Sequence, residues 1–334
     1  MPLSMLNLDD TNEFIDFNRI IYPKRNGIRK RFEWYMLGNP FLEDRRHPYV
    51  LLYNKDSKIV GQSLLNPFVW RYMGKEHLDY MGIDWYVLPE YRGPIGTALA
   101  MKTLKDRPHY FGIGFSEAAK NIWSALGVRD IGRVDIYIWL GKPMRMIRSV
   151  ARMMKGSRRE IGPLLPKRID AGNDSFHIVE SPDHWKEHEW KGVIEFSRPA
   201  KYLRWRFFDS PRKYFFYMSS DRRSYFVIRE SFMKGLNFIV LVDYRVPEMD
   251  RKSFDSILRA CKKIARTAKY DGILAGSSHS FFDNRFKRNF FFRTRRGGGA
   301  IMTNADVGEV PEKIISRELV YATIADSDMD LVQF

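Results

Sequence analysis

The chain comes close to repeating itself, and this restricts its fold more than any other feature. "HYFGIGFSEAAKNIWSALGV" at 109–128 is echoed by "DGILAGSSHSFFDNRFKRNF" at 271–290. Ser116 falls on Ser278, and no gap is needed through to Gly127 on Asn289. Both stretches parse as strand, serine, helix, turn, strand. "YVLPEYRG" at 86–93 is likewise echoed by "YRVPEMDR" at 244–251, each after an apolar strand and before a helix. A block recurring about 160 residues on is a supersecondary unit used twice. The expectation is two like domains, 1–140 and 169–334, joined by 141–168. The length of 334 residues suits two domains at roughly 100–200 residues each.

Local patterns fill in the elements. Polar starts and apolar spacing predict helices near 11–21 and 28–37. "PYVLLYNKDSKIVGQSLL" predicts a hairpin turning at 54–58, and a third strand is expected over about 78–88. A helix over 96–106 follows. "HYFGIGFS" predicts a short buried strand, "EAAKNIWSALG" a helix stopped by Gly127, and "RVDIYIWL" another strand. "YLRWRF" alternates Tyr202, Arg204 and Arg206 with Leu203, Trp205 and Phe207, which on a strand gives one cationic and one apolar face.

At 44% hydrophobic and 15% aromatic, the chain can bury real cores. Its one cysteine, Cys261, excludes an internal disulfide and suits a packed thiol in a helix near 256–269. No apolar run reaches the roughly 18 residues of a membrane span, and the polar start "MPLSMLNLDDTNEF" is unlike a signal peptide. A cytoplasmic protein is expected.

The net charge of +16 implies an anionic partner: a nucleotide cofactor, nucleic acid or a lipid surface. Much of the surplus lies in the linker, "GKPMRMIRSVARMMKGSRREIGPLLPKR", with nine Lys or Arg against Glu160. Met144, Ile147, Ala151 and Met154 form one helical stripe, flanked by Arg145, Arg148, Arg152 and Lys155. This describes an interdomain helix, and peripheral membrane contact through 144–155 is the sharper alternative. "FKRNFFFRTRRGGG" interleaves phenylalanines with arginines. It is expected to be strand core with a solvated edge rather than an RNA platform. "HWKEH" at 184–188 would put His184 and His188 on one helix face, but no third ligand is suggested, so no metal is expected.

The chemistry concentrates in "WYVLPEYRGPIGTALAMKTL", Trp85 to Leu104. An apolar strand runs to Pro89, a loop carries Arg92, Gly93 and Gly96, and a helix begins. Strand, glycine loop and helix aim backbone N–H groups and a helix N-terminus at a phosphate. The second copy, "VPEMDRKSFDS", lacks the glycines and carries Glu248 and Asp250, which repel phosphate.

The order hairpin, strand, glycine loop, helix, strand, helix, strand resembles the GNAT acetyltransferases. The resemblance rests on "VLPEYRGPIGTAL" at 87–99 and "SEAAKNIWSALGV" at 116–128. "FEWYMLGNP" at 32–40, "YLRWRFFDSP" at 202–211 and the terminal "ADSDMD" are similar to tandem GNAT proteins found with bacterial polysaccharide synthesis. The fold class implied is α/β (α+β): two tandem GNAT-like domains, each a mixed, mostly antiparallel sheet flanked by helices. The resemblance also implies acetyl-CoA. Val87 and Leu88 would seat the pantetheine, and Tyr91, Arg92, Gly93, Pro94, Ile95, Gly96 and Thr97 the phosphates. Two departures stand out. The loop is a residue short, with Pro94, which donates no N–H, where a glycine would stand. Ser116 and Trp123 replace the family's Asn and Tyr, and that tyrosine commonly protonates the leaving thiolate. Trp123 has no titratable proton, whereas Ser116 can still donate one hydrogen bond.

Transfer to an amine needs the neutral amine, so a base is sought. Asp84, at the end of the strand before the loop, is the first candidate, followed by Glu90 and His109. Arg204, Trp205 and Arg206, with Asp326 and Asp328, are candidates for the acceptor, and the two arginines could grip a pyrophosphate. The acceptor expected is a small amine, such as an amino sugar or a nucleotide-linked amino sugar, with no stable nucleic-acid complex. Two alternatives stay open: an aminoacyl transferase using charged tRNA, and a non-catalytic CoA-binding protein.

Overall fold

The structure is a computed structural model. It describes residues 2–141, 165–172, 174–233, 235–294, 298–304, 318–327 and 330. The basic linker stripe at 144–155 and Asp328 therefore lie outside the described residues.

The molecule is a mixed α/β structure with mostly antiparallel strand pairs flanked by helices. In the first half, β1 (Leu3–Met5) is followed by α1 (Thr11–Ile21) and α2 (Ile28–Phe32), which runs on as a π-helical turn, Glu33–Leu37. The hairpin β2 (Val50–Lys55) and β3 (Lys58–Tyr72) turns on Asp56 and Ser57, both at positive φ. This is the geometry that matches strand twist in a two-residue loop. The strand expected over 78–88 is broken in two. β4 (Lys75–Gly82) pairs with β3 and, in parallel, with β6 (Tyr110–Ile113), whereas β5 (Tyr86–Val87) pairs only with β3. Between them lie α3 (Pro94–Asp106) and, after β6, α4 (Glu117–Ala125).

The long β7 (Arg129–Leu140) joins the halves. Its residues 129–134 pair with β16 (Gly299–Thr303), which also pairs with β6 of the first half. Its residues 135–140 pair with β14 (Gly272–Ser277) of the second half. There the order is β8 (Arg168–Ala171), β9 (Asp174–Ile178), β11 (Phe215–Ser219), β12 (Tyr225–Met233), β13 (Leu236–Arg245), β14. The parallel pair β13–β14 answers β4–β6. α6 (Arg251–Thr267) and α7 (Ser280–Arg288) pack on this sheet, with Cys261 fully buried in α6.

Residues 202–207 are helical, not extended. α5 (Ala200–Leu203) continues as a second π-helical turn, Arg204–Phe208. Tyr202, Leu203, Trp205, Arg206 and Phe207 are all buried while Lys201 and Arg204 are exposed, so the inward-facing Arg206 breaks the helical period that the sequence would otherwise show. This turn is the counterpart of 33–37. Trp34 and Trp205 each stand six residues before a proline, Pro40 and Pro211. Trp34 Nε1 donates to the Trp205 carbonyl at 2.7 Å, and Trp205 Nε1 donates to the Trp34 carbonyl at 2.8 Å. The rings lie 5.8 Å apart within one apolar cluster that draws on both halves. Trp205→Phe removes one donor and strands a buried carbonyl. It is expected to cost about 1–3 kcal/mol, read from the urea midpoint.

Candidate active site

The parallel register between β4 and β6 ends at Gly82 opposite Gly112. Beyond it the main chain of 83–87 swings to β3, and a cavity of about 690 Å³ opens between the diverging strands. Glycine is required at the apex. A Cβ on Gly82 would sit 2.0 Å from the Tyr110 hydroxyl oxygen, so the phenol occupies the space a side chain would fill.

The walls are aromatic. Tyr110 stacks on Trp123 at 4.2 Å and 8°. Trp85 and Phe115 meet Trp123 edge to face at 5.9 and 6.4 Å. The indole N–H groups of Trp85 and Trp123 are buried and donate to nothing among the described residues. A buried donor without an acceptor costs roughly 1–3 kcal/mol, so two on the walls of one cavity point to a ligand bearing acceptors. Burial raises the Tyr110 phenol far above its ordinary range. It stays protonated and keeps a proton to donate in a hydrogen bond.

The rim is the glycine loop. Gly93 is the N-cap of α3 at φ 107°, ψ −116°, a conformation open to glycine, and no side chain caps the helix. Pro94 is the first helical residue, where its missing N–H would have had no helical partner anyway. The shortened loop therefore gives up little by having a proline there. Gly96 N–H and Thr97 N–H donate to the Gly93 carbonyl at 3.1 and 3.4 Å, so the start of α3 offers an anion the Ile95 amide and a favourable dipole. Arg92 leans over it, donating from Nε to the Val87 carbonyl at 3.4 Å. Ser116 caps α4, its Oγ accepting from Ala119 N, and its own hydroxyl proton remains available to the cavity.

The structure thus brings Val87, Arg92, Gly93, Gly96, Ser116 and Trp123 to one cavity and adds Trp85 and Tyr110. Leu88, Tyr91, Pro94, Ile95 and Thr97 flank it without lining it. The three expected bases also lie off its walls, and among the described residues no Asp, Glu or His lines it. Glu90 is exposed in the turn Pro89–Tyr91. The His109 ring faces Asp79, with Nδ1 3.4 Å from its carboxylate. Asp84 is turned away and grips two arginines, Arg25 at 2.9 Å and Arg31 at 3.4 Å. Burial would raise its carboxyl, but Arg31 and Arg25 outweigh burial and hold it below its ordinary value. That makes it a structural anion rather than a ready proton acceptor.

The expected acceptor residues are also engaged. Arg204 is exposed and paired with Asp183. Arg206 is buried on Asp330 at 3.1 Å, and Trp205 is locked to Trp34. Asp326 is buried on Arg198 at 2.6 Å. Residues 184–188 are not helical: His184 is exposed and His188 Nε2 bonds the Val246 carbonyl. In "FKRNFFF", Phe286 and Phe291 are core, whereas Phe290 and Phe292 are exposed, so only part of that stretch packs inward.

The second half closes the equivalent wedge. Past the last β13–β14 pair, Leu241 with Ala275, residues 320–326 fill the gap. The Tyr321 hydroxyl donates to the Tyr244 carbonyl, and Ser278 Oγ donates to the Val320 carbonyl while accepting from Ala322 N. His279, one residue on from the match to Ser116, caps α7. Asp250 caps α6 at 2.6 Å from Ser253 N, so a carboxylate occupies the place an anion would take.

No protein-family model matches the sequence, nor does the sequence of any curated protein. Solved structures do match. The fold is one shared by GCN5-related N-acetyltransferases and N-myristoyltransferase. A GCN5-related N-acetyltransferase from Anabaena variabilis superposes with a TM-score of 0.57 at 12% identity, covering 90% of this chain and 71% of that one. Saccharomyces cerevisiae N-myristoyltransferase with bound myristoyl-CoA gives 0.55 at 12%, covering 90% and 78%. A putative acetyltransferase from Pyrococcus horikoshii gives 0.54 at 12%, covering 95% and 93%. Among the described residues no helix is long and apolar enough to cross a membrane.

Proposed function

We propose that this chain is an acyl-CoA-dependent N-acyltransferase acting on a small amine, with acetyl-CoA as the first donor to test and an amino sugar, free or nucleotide-linked, as the acceptor class. The observation that carries this reading is the cavity at the strand divergence, with its uncapped glycine helix start and its two orphaned indole donors. Its residues fit an acyl-CoA. The Ile95 amide and the positive end of α3, with Arg92, would hold the phosphates, and the aromatic walls would take the pantetheine and acyl chain. When bound, acyl-CoA supplies an activated thioester whose sulfur the amine displaces.

The chain's own residues then have definable tasks. Trp85, Phe115 and Trp123 exclude water, which strengthens every dipole inside. The indole N–H groups orient carbonyl acceptors. Tyr110, at the apex, donates a hydrogen bond to the departing sulfur and takes the place of the acid that Trp123 cannot supply. With no carboxylate or imidazole among the described residues of the walls, the amine sheds its proton to solvent.

The test is calorimetric titration with CoA, acetyl-CoA and myristoyl-CoA, followed by thiol release across an amine panel. Binding near one equivalent and amine-dependent thiol release are expected. A protein that takes up none of the three thioesters or thiols disproves the reading. kcat/KM should rise with pH along the acceptor amine's own titration, and Asp84→Asn should leave that profile in place.

A further inference from the structure

α4 and α7 end in the same turn. After α4, Gly127 N–H donates to the Ser124 carbonyl and Val128 N–H to the Trp123 carbonyl, both at 3.0 Å. After α7, Phe290 N–H donates to the Lys287 carbonyl and Phe291 N–H to the Phe286 carbonyl, again both at 3.0 Å. Val128 and Phe291 are core. The residue before each is left-handed, Gly127 at φ 87° and Phe290 at φ 61°. This motif favours glycine there, because a side chain is strained in that conformation. The second half holds a phenylalanine in it instead, 75% exposed. Strain that no packing offsets points to a use outside the fold.

Phe290 has apolar company. Phe292 is 61% exposed and pairs with Ile138 of β7. That antiparallel register runs 290–292 beside the end of β7, where Leu140 is 38% exposed. Lys262 of α6 donates to the Asn289 carbonyl at 2.6 Å, and Phe291 is anchored in the core, so Phe290 is held outward from both sides. The surroundings are cationic. Arg285 is answered by Asp255, but Lys287 and Arg288 are exposed and make no ion pair among the described residues. From Leu140 the sequence enters 141–168, with nine Lys or Arg against Glu160, and Arg295 and Arg296 follow close on Phe292.

Exposed apolar side chains beside cations suit a bilayer interface, with rings at the headgroup boundary and charges on lipid phosphates. A nucleic-acid platform lays ring faces along a charged groove. Here the rings stand on a turn and a strand end, beside a leucine that cannot stack. We propose that this end of the second half docks on an anionic lipid surface, with Phe290, Phe292 and Leu140 entering the headgroup boundary and Lys287 and Arg288 meeting lipid phosphates. The docking is independent of the acyl-CoA reading, since none of these residues lines the acyl cavity.

The experiment is sedimentation of the full-length protein with vesicles of phosphatidylcholine alone, and of phosphatidylcholine with an equal part of phosphatidylglycerol. Binding to the second and not the first is expected, weakening as salt rises. Burying one phenylalanine side chain is worth about tenfold or more in affinity, so Phe290→Gly with Phe292→Ser should weaken binding about a hundredfold. Lys287→Glu with Arg288→Glu should weaken it about 25-fold or more, at roughly fivefold for each charge near the surface. Phe290→Gly alone should keep or raise the melting temperature, because glycine suits the turn, so its loss of vesicle binding is not a loss of fold. Undiminished binding in the double phenylalanine variant overturns the proposal and gives the attraction to the linker cations. Equal binding to phosphatidylcholine alone, or no vesicle binding at all, also overturns it. So does self-association or tRNA binding that the same variant abolishes while vesicles are ignored, which gives the patch to a second copy or to RNA.

Discussion

Gly93→Asp is expected to weaken acyl-CoA binding by about a hundredfold or more, the largest effect of any single change near the cavity. Three causes add. The position sits at φ 107°, ψ −116°, where a side chain is strained by about 1–3 kcal/mol. An aspartate there would cap α3 with its own carboxylate, as Asp250 caps α6 through Ser253 N. That carboxylate would take the place of a phosphate at the helix start, and the new charge would repel one. Losing one charge-assisted bond is worth about 1.5–3 kcal/mol, or about 10- to 100-fold in affinity. The control is Gly93→Ala, which brings the strain without the charge. It should lower the melting temperature as much while costing less than tenfold in affinity. Equal loss of CoA in both variants would show that loop shape, not an open helix terminus, makes the site.

The parts of this site visible in the sequence are those set by local chemistry. Residues 11–21, the hairpin at 50–72, and the helices after Gly93 and Ser116 follow from spacing, capping and turn residues close by. The glycine loop was legible because an uncapped start after a strand has few other uses. What could not be read depends on partners far along the chain. Asp84 looks like a free carboxylate at a strand end until Arg25 and Arg31, more than fifty residues earlier, close on it. Tyr110 is one tyrosine among 17 until Gly82 vacates the space for its hydroxyl. The alternation at 202–207 imitates a strand because Arg206 is buried among the aromatic side chains while Arg204 faces solvent. One signal was present and unused: the equal six-residue spacing of Trp34 to Pro40 and Trp205 to Pro211 announces the two matching turns that lock the halves together. The exchange of β7 and β16 between the halves has no local mark at all, since a strand's sequence does not say which sheet it will join.

The second large effect concerns the wedge that the protein keeps shut. Arg198→Met is expected to destabilise the fold by about 3–5 kcal/mol, the range for removing one partner of a buried ion pair. Arg198 is 1% exposed and donates to Asp243 at 2.9 Å, Asp326 at 2.6 Å and the Phe196 carbonyl at 3.0 Å. Thr323 ties the same two aspartates together, its hydroxyl donating to Asp243 and its N–H to Asp326. This cluster seats residues 323–326 in the gap past β13 and β14, so the arginine both neutralises buried charge and holds the plug. Burial, with the nearby Asp243, already raises the Asp326 carboxyl against the pull of Arg198. Removing the arginine raises it further. A folded value above the unfolded one, about 3.9, means that the native state binds more protons across that interval. Stability there is present at the acid end and is lost as the pH rises. The variant should therefore recover part of its deficit between pH 7 and pH 5, to a greater extent than the parent protein changes over the same span. Urea midpoints at the two pH values measure it. Arg198→Lys keeps the charge without the fork, so it should fall between the two and show less recovery in acid. A pH-independent deficit of the same size in both variants would mean that Arg198 acts through packing volume, and that some other contact holds residues 323–326 in the second wedge.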